Sequence, residues 1–149
     1  MALDIPERSW IVAVTEDNYG VCIRNGIIGM KYRGLASKVN IGDGIIFYIK
    51  GRMELRDLWK IKGRWVGQDK PLWPDEVKEK SIIYKYRAEI EPLVRGVTKV
   101  EKLINELSFI KNKGKWSIYF IGELANLRRP IPRDDVKKII LRMRGEMNE

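Results

Sequence analysis

The stretch from Gly44 to Trp65, "GIIFYIKGRMELRDLWKIKGRW", does most to limit what this chain can fold into. Gly44 to Ile49 is an uninterrupted apolar arm, Lys50-Gly51-Arg52 is a turn, and Met53 to Trp65 is a second arm that alternates. Side chains on a strand point to opposite faces in turn, so a period of two marks a sheet. Met53, Leu55, Trp59, Ile61 and Trp65 share one face, and Glu54, Arg56, Lys60, Lys62 and Arg64 share the other. This is the pattern of a β-hairpin. Asp57 and Leu58 break it. A lone carboxylate on an apolar face is costly, so Asp57 marks either a bulge or a polar pocket.

Around the hairpin the same reading gives further elements. Ser9–Val14, "SWIVAV", is a short buried strand. Thr15 or Asp17 caps a helix with acidic residues in its first turn, which Asn25-Gly26 stops. "IIGM" is extended, "KYRGLASKVNIGDG" is a basic loop with one helical turn that ends in a tight Gly42-Asp43-Gly44 turn, and Ser81–Pro92 alternates as a strand that Pro92 ends. Thr98 and Glu101 have capping-box spacing, with Val100, Leu103, Ile104 and Leu107 as a helical stripe behind them. "WSIYFIGEL" reads as extended, and a final helix spans about 133–144, with Asp134 and Asp135 at its start and Arg142 and Arg144 at its end. No repeat or long linker divides the chain. The expectation is one α+β domain over 1–149, with a core at about 9–122. It has five or six strands in a twisted, barrel-like sheet and short peripheral helices.

What the composition excludes narrows the chemistry. Histidine is absent and Cys22 is the single cysteine. That removes the commonest general base, the commonest metal ligand, and any intrachain disulfide. Cys22 reads as a small buried apolar side chain. The acidic pairs Glu16-Asp17, Asp75-Glu76 and Asp134-Asp135 read as helix starts or solvated loops, and "GDG" lacks the lysine or glycine spacing of a phosphate loop. No catalytic residue, metal or cofactor is expected. No apolar run approaches the ~20 residues of a membrane helix, and the N-terminus lacks a secretory pattern. A soluble cytoplasmic protein without a membrane partner is the expectation.

Against 20 acidic residues stand 29 basic ones, a net charge of +9. Such an excess either meets a polyanion, whose counterions it releases, or serves solubility and surface ion pairs. Tryptophans at 10, 59, 65 and 116 have basic neighbours, the interleaving that stacked bases and phosphates need. Trp10, Trp59 and Trp116 lie in strand-like runs and read as core. Trp73 differs, because "GQDKPLWPDE" is a proline-stiffened polar loop. Its indole either folds back as a lid or offers a flat face to a ligand.

"SWIVAVTEDNYGVCIRNGIIGM", "VNIGDGIIFYIKG", "PLWPDE", "YKYRAEIEP" and "LSFIKNKGKW" stand in an order and spacing that resemble the EVE domain. That family belongs to the PUA-like superfamily and is similar in fold to the YTH readers of methylated adenosine. The resemblance runs from about Trp10 to Gly122 and is of the small archaeal single-domain type. It implies a mixed β-barrel with a pocket for a flipped, modified base, in DNA (modified cytosine) or in RNA. Trp73 would be an aromatic wall, Asn18 a reader of the base edge, and Val14 and Thr15 would offer backbone and hydroxyl groups. Ile28, with Gly29 beside it, would line the slot where relatives place a second cage aromatic. Asp57 stands where the family has glycine, and from inside the pocket it would accept from a cytosine amine. Lys31, Arg33, Lys38, Lys111, Lys113 and Lys115 are the candidate phosphate contacts. The picture requires an open, ring-sized crevice beside the first helix. Two alternatives are a general RNA-binding PUA-like module blind to modification, and a nucleotide-modifying enzyme using carboxylates such as Asp57.

Overall fold

The computed structural model describes residues 5–120 and 129–145. The strands are β1 (Ser9–Val14), β2 (Ile27–Met30), β3 (Gly44–Ile49), β4 (Glu54–Ile61), β5 (Val66–Gly67) and β6 (Tyr86–Lys99). Helices α1 (Glu16–Asn25), α2 (Arg33–Ala36), α3 (Pro74–Glu79) and α4 (Arg133–Met143) flank them. They form one six-stranded sheet in the order β1-β3-β4-β6-β2, with β5 also on β6. β1 and β3 run parallel and the other pairs antiparallel. The 14-residue β6 is the seam: residues 90–99 pair with β4, while 86–89 pair with β2 and β5. There the sheet curls into a mixed half-barrel, the α+β architecture expected from the pattern.

The apolar run of β3 has its reason in two-sided burial. Ile45, Phe47 and Ile49 enter one core with Trp10, Val12, Tyr19, Ile28 and Trp73. Ile46 and Tyr48 enter a second, on the opposite sheet face, with Ile11, Leu107, Phe120 and the α4 residues Val136, Ile139 and Ile140. Strands covered on both faces read as continuous hydrophobic runs. At ~1.5–3 kcal/mol per fully buried apolar side chain, β3 ties the two layers together.

The second arm is corrected by its irregular residue. Asp57 has a left-handed φ of 57°, and the β4–β6 register shifts between Arg56 and Leu58. One extra residue reverses the phase of every side chain beyond it. Leu55 and Leu58 therefore enter the second core, while Trp59 and Ile61 enter the first. Met53 lies in the turn, 52% exposed, and Trp65 falls beyond the strand, its Nε1 donating to Val39 O at 2.7 Å.

Other expectations change for related reasons. β6 begins at Tyr86 and does not stop at Pro92, which pairs with Trp59 at a second irregular step where a missing donor is tolerated. Thr98 stays in β6 opposite Leu55, so no helix starts there. Instead Leu103 N donates to Val100 O and Glu106 N to Leu103 O. These short turns still aim Val100, Leu103 and Leu107 at the second core. Lys113–Tyr119 is a 3-10 segment rather than a strand; the end of "WSIYFIGEL" lies outside the described residues. Among the described residues no helix is long and apolar enough to cross a membrane, and no group of three His, Cys, Asp or Glu could hold a metal.

Candidate functional site

The first helix begins as its sequence dictates. Thr15 is the N-cap, its Oγ1 accepting from Asn18 N at 3.1 Å, and Gly26 closes α1 in the left-handed region at φ 63°. This start sets Asn18 beside the end of β1, facing the loop that carries Trp73.

That loop is held by a buried carboxylate. Glu76, with no exposed surface, accepts from Leu72 N at 2.9 Å, Trp73 N at 3.3 Å, and Ile83 N and Tyr84 N at 2.8 Å each. Arg87 Nη2 adds an ion pair at 3.1 Å and also donates to Lys70 O at 2.6 Å. Burial pushes the Glu76 carboxyl up, but the backbone donors outweigh it and hold the group below its ordinary value. The Arg87 guanidinium lies over the Trp73 ring, 4.9 Å from its centroid. This explains an indole in a polar loop: backbone donors, cation and carboxylate tie the loop down over the core. Trp73 is 2% exposed, and its Nε1 donates to Cys22 Sγ at 3.4 Å.

Beside the indole is a narrow slot lined by Val14, Asn18, Cys22, Ile28, Gly29, Trp73 and Tyr84. A Cβ on Gly29 would lie 2.5 Å from Trp73 Cη2 and 2.7 Å from Tyr84 Cβ, so only glycine lets the ring approach β2. The slot holds about 10 Å³, barely a water molecule. The expected open crevice is thus closed, because Tyr84 packs edge-on against Trp73, with centroids 5.2 Å apart. The Tyr84 hydroxyl donates to Asp75 Oδ2 at 2.6 Å, and Asn18 Nδ2 donates to the same oxygen and to the hydroxyl, each at 3.3 Å. Burial lifts the Cys22 thiol to about 11, keeping it protonated on the slot's inner wall.

Val14, Asn18, Ile28, Gly29 and Trp73 therefore come together. Thr15 sits one residue away as the cap. Asp57 does not join them: its Oδ1 accepts from Gly96 N at 2.8 Å and pairs with Arg95 Nε at 3.2 Å, while the Tyr19 hydroxyl donates to its Oδ2. The left-handed bulge aims it at that network, which borders a shallow depression with Glu54, Arg56 and Val97.

The basic candidates divide. Lys31, Arg33 and Lys38 are exposed around α2, on the slot's side of the sheet. Lys111, Lys113 and Lys115 belong to the segment packed on the opposite core, and Lys113 Nζ donates to Leu107 O at 3.0 Å. A larger cavity of about 550 Å³ opens on that far side, between Ile11, Phe109, Lys111, Tyr119 and Arg129. None of the slot's polar groups reaches it. Residues the sequence pattern does not single out are Tyr84, within the alternating Ser81–Pro92 run, and Asp75, Glu76 and Arg87. The signal for Glu76 was its place three residues after Trp73, where a capping carboxylate reaches back.

No protein-family model matches the chain. Among solved structures, the YTH domain of the Zygosaccharomyces rouxii MRB1 protein, in complex with N6-methyladenosine RNA, is similar. It has a TM-score of 0.65 at 11% identity, covering 95% of this chain and 91% of that one. The Pho92 YTH domain in complex with m6A has a TM-score of 0.63 at 16% identity, covering 95% and 90%. At such identities the likeness is one of fold. In sequence, UPF0310 protein PYRAB08750 of Pyrococcus abyssi is 30% identical over 139 residues, 87% of this chain and 95% of that protein. UPF0310 protein SSO2595 of Saccharolobus solfataricus is 34% identical over 134 residues, covering 86% of this chain and 89% of its own length. On that identity and coverage, the chain belongs to the UPF0310 family.

Proposed function

We propose that the protein is a nucleic-acid-binding module of EVE type, acting as one domain, that takes a flipped, modified base into the slot beside Trp73. One observation carries this reading: Val14 of β1, Asn18 of α1, Ile28 and Gly29 of β2 and Trp73 before α3 line a single slot. The fold is shared with YTH domains solved with N6-methyladenosine, and the net charge of +9 suits a phosphate backbone.

Entry requires Tyr84 to swing aside. That costs about 1.5–3 kcal/mol for its hydrogen bond to a carboxylate and ~0.5–1.5 kcal/mol for the ring pair. Stacking on the indole returns ~1–3 kcal/mol. Opening the slot thus costs roughly 1 kcal/mol more than stacking returns, and pulling the base out of its strand costs a few kcal/mol more. Hydrogen bonds to the base edge and phosphate contacts must supply the difference, so backbone charge dominates affinity while the slot confers preference.

The test is a titration of matched oligonucleotides whose central position is a modified adenine or cytosine, or is abasic. Trp73→Ala is expected to weaken the modified strand about tenfold and the abasic strand by less than about twofold. Asn18→Ala gives the same pattern should loss of the indole unfold the loop. Equal losses on both strands contradict the slot model.

The slot's closure favours a second reading, a general RNA-binding module without modification preference. It predicts a steep salt dependence and identical curves for modified and plain strands.

A further inference from the structure

Two of the slot's lining residues, Asn18 and Tyr84, meet a carboxylate that lies just outside the lining. Asn18 comes from α1, Asp75 from α3 and Tyr84 from the segment before β6; Asn18 Nδ2 and the Tyr84 hydroxyl both donate to Asp75 Oδ2. The other carboxylate oxygen, Oδ1, is taken by Glu76 N at 3.0 Å. A carboxylate only accepts, whereas the neighbouring Asn18 amide supplies donors. When Tyr84 moves out, Oδ2 loses the phenol at 2.6 Å and needs another donor in its place.

The phenol is itself an aromatic ring with an exocyclic donor aimed at a carboxylate. It displays the chemistry that a replacing ring must bring. Adenine and cytosine carry an exocyclic amine next to a ring nitrogen that accepts, the complement of Asp75 beside Asn18. Guanine keeps an exocyclic amine but sets it beside a ring N–H, not a ring acceptor. Uracil and thymine place a carbonyl where that amine would be, opposite an oxygen that cannot donate. They can satisfy the pair only with a ring N–H, which slides the ring by one atom across the indole face. An amine with a single methyl keeps one N–H and still qualifies.

We propose that Asp75 is the specificity-determining residue of the slot, selecting bases with an exocyclic amine beside a ring acceptor over uracil and thymine, and that the Tyr84 hydroxyl is a built-in competitor for its carboxylate. This rests on the base-reader reading above. The acceptor in the site is then Asp75, a role the sequence reading had considered for Asp57.

Anisotropy titrations of the full chain would use single strands with identical flanks. The central position would be abasic, adenine, cytosine, N6-methyladenine or uracil, in ribose and deoxyribose series. The expected result is about tenfold tighter binding of amine-bearing bases than of uracil. Asp75→Asn, which can both donate and accept, brings that ratio below about twofold. Tyr84→Phe removes the competing hydroxyl and tightens the amine-bearing strands several-fold. The ratio appearing in one sugar series alone supports the proposal and names the strand. If every base binds like the abasic strand, the reader reading fails and this inference with it. If bases beat the abasic control but show no amine preference, the inference alone is overturned. The same holds if Asp75→Asn leaves the preference intact, or if Tyr84→Phe leaves the amine-bearing strands unchanged.

Discussion

The two faces of the sheet use the same device to different ends. On one face Glu76 gathers the backbone N–H groups of Leu72, Trp73, Ile83 and Tyr84. On the other, Asp135 on α4, also without exposed surface, gathers Ser108 N at 3.0 Å and Phe109 N at 3.2 Å, with Ser108 Oγ at 2.7 Å. Each carboxylate stands in for the strand partners that an irregular loop lacks, since buried N–H groups must be satisfied. The difference lies in what surrounds the staple. Beside Asp135 are apolar side chains, Leu107, Ile110 and Phe120. Beside Glu76 are a buried cation, an indole, and the polar trio Asn18, Asp75 and Tyr84. The far face carries an open cavity beside its staple, bordered by Ser108 and Phe109; the near face is closed by side chains that have hydrogen-bonding alternatives.

The comparison breaks most sharply at Glu76. Glu76→Gln leaves Arg87 as a buried cation without its counterion and puts an amide against backbone donors. Breaking one side of a buried pair costs about 3–5 kcal/mol, a loss of roughly 6–20 °C in melting temperature for a chain of this size. The pH dependence carries a sign. Glu76 titrates below its ordinary 4.5 when folded, so its contribution is complete above that value and is lost as pH falls through the folded one. Melting curves from pH 7 downward should show the gap between wild type and Glu76→Gln narrowing only below about pH 4.5. A gap constant with pH would mean that the charge of Glu76 does not hold the loop.

Asp135→Asn tests the other face with a smaller effect. It weakens charge-assisted bonds to Ser108 and Phe109 but strands no buried cation, so the expected cost is roughly 2–3 kcal/mol by thermal melting. Oligonucleotide affinity, and any preference among bases, should be unchanged. A change in base preference would connect the far face to the slot and remove the division of labour between them.

Much of the frame was legible in the sequence, because strand alternation and helix caps are local. β1, the hairpin turn, the Thr15 cap and the Gly26 stop needed only neighbours in the chain. What failed depended on partners far along it. The phase reversal at Asp57 depends on Tyr19 and Gly96, and the absent helix at Thr98 depends on pairing with Leu55. The site divides the same way. Trp73 was conspicuous because an indole in a proline-flanked polar loop contradicts its surroundings. Its closure was not visible, because Tyr84 occupies a strand-like pattern and only the fold brings it against the indole. Asp75 looked like an ordinary acidic helix start, and Asp135 like half of a dipole-stabilising pair. Neither reading anticipated the donors that tertiary structure delivers. In "LSFIKNKGKW" Ser108 and Phe109 are the donors to Asp135, and its lysines lie on the sheet face away from the slot.

The smallest expected effect is the most selective probe of the near face. Gly29→Ala places a methyl 2.5 Å from Trp73 Cη2 and 2.7 Å from Tyr84 Cβ, so the indole and the Tyr84 side chain packed on it must move. Overpacking of this kind costs about 1–3 kcal/mol, and the void beside the ring keeps it near the lower figure. Glu76, Arg87 and the loop backbone are untouched, so the melting temperature should fall by only a few degrees, roughly 2–4 °C per kcal/mol. The indole's near-ultraviolet circular dichroism should change with it. Affinity for an abasic strand should stay at the wild-type value, since phosphate contacts do not depend on the ring, while the advantage of a base over the abasic position should largely vanish. If that advantage survives a displaced indole, stacking on Trp73 is not what the slot provides, and the near face is only a packed core.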